Sequence, residues 1–259
     1  MGKSILFVGG AGGIGSEAVE KLKKTGRYDL KVLDSDGERL RELEGVEKIK
    51  TDINDYERVC EIAKDTDIDI LVNCAGYQAQ GSVEDLEMDE FEKHIQTNYL
   101  GAVNTTKAFL PQIKQNGGKI VNVSSIAGKT GLPFLSAYCA SKYALEGFTD
   151  TLRKETLRDD IKVVLVEPGR VKTGFNEKGA QNVEKYLPDT VWEKEYREML
   201  DSESYGGISQ EKAGRKLAKI IQKNNFKTRY TINHEADLLR LMKALTPTKI
   251  YDKLVGRAI

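Results

Sequence analysis

Short apolar runs alternate with stretches of helical periodicity along the whole chain of 259 residues. The runs rich in β-branched and aliphatic side chains fall at residues 4–8, 31–34, 47–51, 70–73, 119–124, 162–167 and 228–232, and are read as strands. Helical patterns fill most of the gaps, the longest at about 89–115 and 136–158. Such alternation implies a parallel sheet covered by helices on both faces, because a parallel neighbour is reached only through a crossover. Right-handed crossovers then give a doubly wound α/β fold of about seven strands. At this length one domain over residues 1–259 is the natural reading. Ligands of such sheets sit at the carboxyl edge of the strands. Asp34, Asp52, Gly76, Ser125 and Pro168 all lie at strand ends, so they are expected to converge on one cleft.

The first strand breaks into Gly9, Gly10, Gly12, Gly13 and Gly15, and a helical pattern follows through Ala18, Val19 and Leu22. Glycines let the backbone approach a pyrophosphate, and a helix N-terminus offers free N–H groups and a positive dipole end. The second strand ends in Asp34, nineteen residues after Gly15, which suits an acid that holds an adenosine ribose. A carboxylate there accepts hydrogen bonds from ribose hydroxyls and repels a 2′-phosphate. The turn contributes Ala11 and Gly12, and Ser35 and Asp36 follow the acid, so NAD is favoured over NADP. Arg39 is the one nearby cation that opposes this choice.

Tyr138-Cys139-Ala140-Ser141-Lys142 places a phenol and an ammonium one helical turn apart on one face. A free tyrosine titrates near ~10. A neighbouring cation favours the phenolate, so the pair reads as an acid–base group tuned toward working pH.

With these features in view, the chain resembles the short-chain dehydrogenase/reductase family in its compact, Rossmann-type form. Gly-x-x-x-Gly-x-Gly falls on Gly9, Gly13 and Gly15, and the acid after the third strand on Asp52, followed by Ile53. Asn-Asn-Ala-Gly appears as Asn73-Cys74-Ala75-Gly76, and the mid-helix asparagine as Asn98. The serine matches Ser125, thirteen residues before Tyr138, and Pro-Gly matches Pro168-Gly169, followed by Val171 and Thr173. The resemblance implies a catalytic set of Asn98, Ser125, Tyr138 and Lys142. It implies cofactor contacts from Gly9, Gly12, Gly13, Ile14, Gly15, Asp34, Asp52, Ile53, Asn73, Ala75, Gly76, Tyr138, Lys142, Pro168, Gly169, Val171 and Thr173. Tyr138 would act as acid and base, Lys142 would hold the nicotinamide ribose, and Ser125 would bind the substrate oxygen. Asn98 would kink its helix and position a water near Lys142. Val8 and Cys74 depart from the family's Thr and second Asn, on neighbouring strands, and read as a polar pair replaced by an apolar one.

Composition narrows the class. Lys+Arg and Asp+Glu balance at 40 each, which gives no electrostatic case for nucleic acid. Cys60, Cys74 and Cys139 fit neither a zinc site nor a disulfide framework and read as free thiols of a reducing compartment. His94 and His234 read as ordinary helix residues, and no metal is expected. The first strand begins at once, and no apolar run approaches the ~18 residues of a membrane span, so a cytoplasmic protein is expected.

Residues 170–210 carry no strand pattern and, by the resemblance, form a lid over the substrate. Tyr186, Leu187, Val191, Trp192, Tyr196 and Met199 recur there at helical spacing. They either line an apolar pocket or pack the lid down; Phe134 and Leu135 are similar candidates. The helical tail, residues 234–259, resembles that of members acting on steroids, retinoids or acyl-lipid ketones. Its apolar face can cover the pocket, pair with another subunit or touch a membrane surface, with packing favoured. The resemblance implies a small-molecule carbonyl/alcohol substrate, expected to be bulky and apolar. Apolar surface on both long helices implies a homodimer or homotetramer. The competing readings are an NAD-binding redox sensor or regulatory protein with little catalysis, and a dehydratase or epimerase on the same scaffold.

Overall fold

The structure, a computed structural model, describes residues 2–201, 206–225 and 227–256. The expected lid therefore includes four residues, 202–205, and the expected tail three, 257–259, that lie outside the described residues.

The chain runs β1 (Lys3–Val8), α1 (Gly13–Lys23), β2 (Tyr28–Asp34), α2 (Gly37–Glu42), β3 (Glu47–Lys50), α3 (Tyr56–Asp65) and β4 (Ile70–Asn73). There follow α4 (Met88–Ile95), a π turn (Gln96–Leu100), α5 (Gly101–Gln115), β5 (Lys119–Val123), α6 (Ser136–Glu155) and β6 (Lys162–Glu167). Next come β7 (Val171–Lys172), α7 (Gly174–Gln181), α8 (Glu193–Asp201), β8 (Ile208–Ser209) and α9 (Gln210–Gln222). The chain closes with β9 (Arg229–Thr231), α10 (His234–Leu245) and α11 (Thr248–Gly256). Seven strands form one parallel sheet in the order β3-β2-β1-β4-β5-β6-β9. The expected doubly wound, Rossmann-type α/β fold is present.

The central strands β4, β5 and β6 are buried almost throughout because both faces are covered, whereas the edge strands β3 and β9 are polar. In β1, Ile5 and Phe7 pack into a core with Val19, Leu22 and Leu217, while Leu6 and Val8 enter a second core with Phe109, Ile113 and Leu152. Alternate residues thus serve opposite faces, with α1 and α9 on one side and α3, α5 and α6 on the other. The winding reverses between β2 and β4, the two neighbours of β1, and this switch point opens the cleft at the carboxyl edge.

One feature departs from expectation. The segment after Pro168 does contain strands: β7 and β8 pair in parallel, Val171 with Ile208 and Lys172 with Ser209, and tie its two ends together. The long helix before β5 is interrupted where a kink is expected, at Asn98. It widens into the π turn around Asn98, where Gly101 N–H reaches back to Gln96 O. Such turns carry one residue more than an α turn and commonly mark functional positions. No described helix is long and apolar enough to cross a membrane.

Candidate active site

The glycine turn is shaped by close approach. Gly9 has φ +73°, and a Cβ there would lie 2.3 Å from Ala75 Cα, so only glycine lets the end of β1 meet the end of β4. Gly12 caps α1 without any side-chain hydrogen bond, leaving first-turn N–H groups for an anion. A Cβ on Gly12 would meet Arg39 Nη1 at 2.7 Å, so that guanidinium stands directly over the turn. Arg39 is held there by Asp36, at 3.3 Å. Asp34 braces the same turn: its Oδ2 accepts from Ala11 N at 3.0 Å and its Oδ1 from Asp36 N at 3.0 Å. The expected cradle residues Gly13, Ile14 and Gly15 form the start of α1. This glycine cradle, uncapped helix end and flanking acid fit a dinucleotide.

Cys74 corrects the reading of a lost polar pair. Its thiol donates to Val8 O at 3.1 Å and lies 3.4 Å from Gly9 O. Burial pushes this thiol up to about 12, so it stays protonated and keeps its donor. The β1–β4 link therefore persists, directed at backbone rather than at the Val8 side chain.

The remaining expected cofactor residues divide into lining and support. Gly76 is exposed, and Asp52 accepts from Asn54 N at 2.9 Å at the head of the next loop. Ile53 packs against Gly101 beneath the π turn. Asn73 is buried, and its amide is fully engaged: it donates to Asn122 Oδ1 at 2.9 Å and Thr106 Oγ1 at 3.2 Å and accepts from Thr105 Oγ1 at 2.8 Å. Its place is beneath the cleft, clamping β4 to β5 and α5. Pro168 O accepts from Ile126 N at 2.8 Å, and Gly169 N donates to Asn233 Oδ1 at 2.8 Å, which fixes this loop against the Ser125 turn. Val171 is buried in the β7–β8 pair, and Thr173 caps α7 without using its hydroxyl.

Four side chains of the expected catalytic set meet where β5, α6 and the π turn converge. Tyr138 is buried against Ala127 and Cys139, with Phe175 edge-on at 6.1 Å and His94 at 6.4 Å. Burial pushes its phenol up to about 12, and a hydrogen bond with Ser125 pulls the other way. Ser125 also accepts from Ala127 N at 3.1 Å, whereas Ser124 Oγ is buried elsewhere without a partner. Of the two serines, Ser125 is the one that influences the Tyr138 phenol. Lys142 Nζ lies 5.7 Å from the Tyr138 ring centroid and donates to Val123 O at 3.2 Å. Burial lowers this ammonium to about 8. The expectation that Lys142 lowers the tyrosine is therefore not met: desolvation by burial is the largest influence on both groups and moves them in opposite directions. At neutral pH Tyr138 stands as a protonated phenol, suited to donating a proton.

Asn98 is buried on the π turn. Its Oδ1 accepts from Tyr77 N at 2.6 Å, and its Nδ2 donates to Tyr77 O at 2.8 Å and Ser141 Oγ at 2.9 Å. The side chain thus joins the loop after β4 to α6. His94, one turn earlier on the same helical face, corrects its reading as an ordinary helix residue. It is fully buried; Nδ1 donates to Glu90 O at 2.6 Å and Nε2 accepts from Ala79 N at 3.1 Å. Burial lowers its pKa, keeping the ring neutral beside Tyr138. The i,i+4 spacing from His94 to Asn98 was the available sequence signal.

The lid aromatics split. Tyr196 is fully buried, edge-on to Phe134 at 5.6 Å, with its hydroxyl bound to Asp85 at 2.6 Å and Ser82 N at 2.7 Å; it packs the lid down. Trp192 lies edge-on to Phe134 at 5.3 Å, whereas Val191 is 82% exposed and lines nothing. Phe175, not singled out in the sequence, is the lid residue that covers Tyr138; it packs beside Leu132 and Leu135.

Comparison with known proteins agrees with this architecture. Residues 3–184 match the family model described as short chain dehydrogenase. The uncharacterized oxidoreductase YusZ of Bacillus subtilis is 33% identical, over 100% of this chain and 99% of that protein. The 3-ketodihydrosphingosine reductase of Bacteroides thetaiotaomicron is 30% identical, over 85% of this chain and 84% of its own length. A short-chain dehydrogenase from Burkholderia cenocepacia, solved in complex with NADP, superposes with a TM-score of 0.81 at 23% identity, each chain covered to 98%. The cradle, the Ser125–Tyr138–Lys142 cluster and the family match lead to one assignment: the chain belongs to the short-chain dehydrogenase family of oxidoreductases.

Proposed function

We propose that this protein interconverts a bulky apolar ketone or aldehyde and its alcohol, with a nicotinamide dinucleotide as hydride partner. The observation that carries this reading is the buried Tyr138 phenol, close enough to Ser125 to be influenced by it and 5.7 Å, ring to ammonium, from Lys142. When bound, the nicotinamide supplies or accepts the hydride. Ser125 and Tyr138 bind the substrate oxygen; in reduction Tyr138 delivers the proton, in oxidation it removes one. Such proton transfer is worth roughly 10²–10⁴ in rate. Lys142 steadies the negative charge that develops on the phenol oxygen and offers donors to a ribose. Phe175, Leu132 and Leu135 exclude water around the phenol and favour an apolar substrate. The likeness to a 3-ketodihydrosphingosine reductase supports a long-chain or otherwise bulky ketone.

For the cofactor, the Asp34 carboxylate beside Ala11 favours NAD over NADP, because a 2′-phosphate would face a fixed negative charge. Arg39 over Gly12 moderates this preference, and Asp36 neutralises it in part. Dissociation constants for NADH and NADPH test the choice: NADH is expected to bind more tightly, and Arg39→Ala is expected to widen the gap. A clear NADPH preference in the unaltered protein refutes it. Oxidation of both cofactors against steroid, retinal, acyl-ketone and sugar-like carbonyls tests the substrate class; turnover confined to the sugars would overturn it.

A further inference from the structure

The tail helices reach back to the segment that links Ser125 to Tyr138. They follow β9 at the edge of the sheet, and a side chain from each is fastened near the cleft. Tyr251 of α11 is buried, and its hydroxyl meets the buried Thr130 Oγ1 at 2.6 Å. Lys243 of α10 donates to Lys129 O in a short contact and to Tyr143 Oη, on α6, at 2.6 Å. The tail thus holds both the turn that follows Ser125 and the helix that carries Tyr138. Beyond these contacts it stands off. A cavity of about 360 Å³ opens between Thr130, Gly131 and Pro133 on one side and Thr248, Tyr251 and Val255 on the other.

Thr130 can transmit this hold in both directions. Its N–H donates to Ile126 O at 3.1 Å, closing the turn that begins at Ser125. Two residues later Leu132 N donates to Cys139 Sγ at 3.4 Å, and the Leu132 side chain packs with Ala127, Tyr138 and Cys139. Residues 129–134 lie in no helix or strand, so the segment has no ladder of its own to fix it. It also stores strain. Phe134 has φ +61°, a left-handed conformation that a bulky side chain rarely adopts and that persists only where the surroundings impose it.

We propose that Tyr251 is a positioning residue: acting through Thr130, it latches the segment in the conformation that keeps Ser125 beside the Tyr138 phenol. The inference rests on the proposed roles of Ser125 and Tyr138, but the latch itself is read without turnover. Cys139 is 6% exposed behind Leu132, so alkylation of its thiol reports opening of the segment. Protein without cofactor is labelled with iodoacetamide, and peptide mapping compares Cys139 with Cys74, whose thiol is held between β1 and β4. Tyr251→Phe removes the hydroxyl and keeps the buried ring. It is expected to label Cys139 about fivefold faster, the factor one net hydrogen bond is worth, with Cys74 unchanged. Thr130→Val should match it, Thr130→Ser should keep the wild-type rate, and the double variant should add nothing to either single change. Release of the strain at Phe134 favours the open form, so on a turned-over carbonyl kcat should fall about twofold or more at an unchanged NADH dissociation constant. An unmoved Cys139 rate, equal acceleration at Cys74, or additive effects of the two changes overturns the latch, and an undiminished kcat overturns the positioning role. Should Tyr251→Phe not fold, the contrast between Thr130→Val and Thr130→Ser decides alone. If Cys139 responds as expected while the unaltered protein reduces no carbonyl, the latch stands and the proposed reaction falls.

Discussion

A lysine held as Lys142 is held should weaken the fold. It is 4% exposed, and burial lowers its ammonium from 10.5 to about 8. At ~1.4 kcal/mol for each tenfold change, this amounts to about 3 kcal/mol lost whenever the group is charged in the folded protein. The hydrogen bond to Val123 O returns about 1 kcal/mol. Lys142→Met removes both, retains an unbranched apolar chain, and is expected to stabilise the protein by about 2 kcal/mol at pH 7. For a chain of this size that is about 4–8 °C in melting temperature. The sign depends on pH. Below about 8 the folded and unfolded lysines are both charged and the full cost is present; between about 8 and 10.5 only the unfolded form binds the proton, so wild-type stability rises. The advantage of the variant should therefore shrink as pH rises through that window. Denaturant unfolding of both proteins without cofactor, at pH 7 and pH 10, measures it. A variant less stable than wild type at pH 7, or a gap that does not narrow at pH 10, refutes the reasoning.

Tyr138→Phe removes only the phenol oxygen; NADH binding should survive while turnover falls by about two orders of magnitude or more, and near-normal turnover on a genuine substrate would sink the assignment. Arg229→Met removes the 2.5 Å partner of the buried Glu167 carboxyl and one of the two partners of Glu146, which keeps Lys129, and should cost about 3–5 kcal/mol at neutral pH. Unfolding curves should show that deficit shrinking on acidification, as protonation removes the stranded charge; a deficit independent of pH argues for lost packing instead. Tyr143 is 42% exposed on α6 and Tyr99 meets Phe148 at 6.2 Å between the π turn and α6, an aromatic surface suited to a two-fold contact. Light scattering at micromolar concentration should give at least twice the chain mass, and a value near 28.9 kDa would count against a homodimer or homotetramer.

Reading the fold from the sequence succeeded where burial is two-sided. Ile5, Leu6, Phe7 and Val8 must all be apolar because alternate members face different helical layers, and an uninterrupted run is hard to miss. The β7–β8 pair was not legible for the opposite reason. Two residues each, with Lys172 and Ser209 exposed, give neither alternation nor a run. The site divides the same way. Positions fixed by backbone demands, such as Gly9 against Ala75, carry local signatures. Electrostatics do not, because they depend on what covers a group. Phe175 comes from α7 and His94 from α4, and their burial of Tyr138 reverses the shift that the Tyr138–Lys142 spacing alone suggests.

A polar stripe on α6, formed by Tyr138, Lys142 and Glu146, connects these observations. A helix packed on a sheet ordinarily turns apolar residues inward, yet this one buries a phenol, an ammonium and a carboxylate on successive turns of one ridge. Each would be costly alone. The carboxylate is tolerated because compensation arrives from other segments, Lys129 from the turn after Ser125 and Arg229 from β9, and the ammonium donates to Val123 O. Arg229 also holds Glu167, the residue immediately before Pro168-Gly169. One guanidinium on the last strand thus braces both the helix bearing Tyr138 and Lys142 and the loop expected to meet the nicotinamide. This gives the C-terminal strand a place in the site that no motif within it announces, since its partners at 146, 150 and 167 come together only in the folded chain.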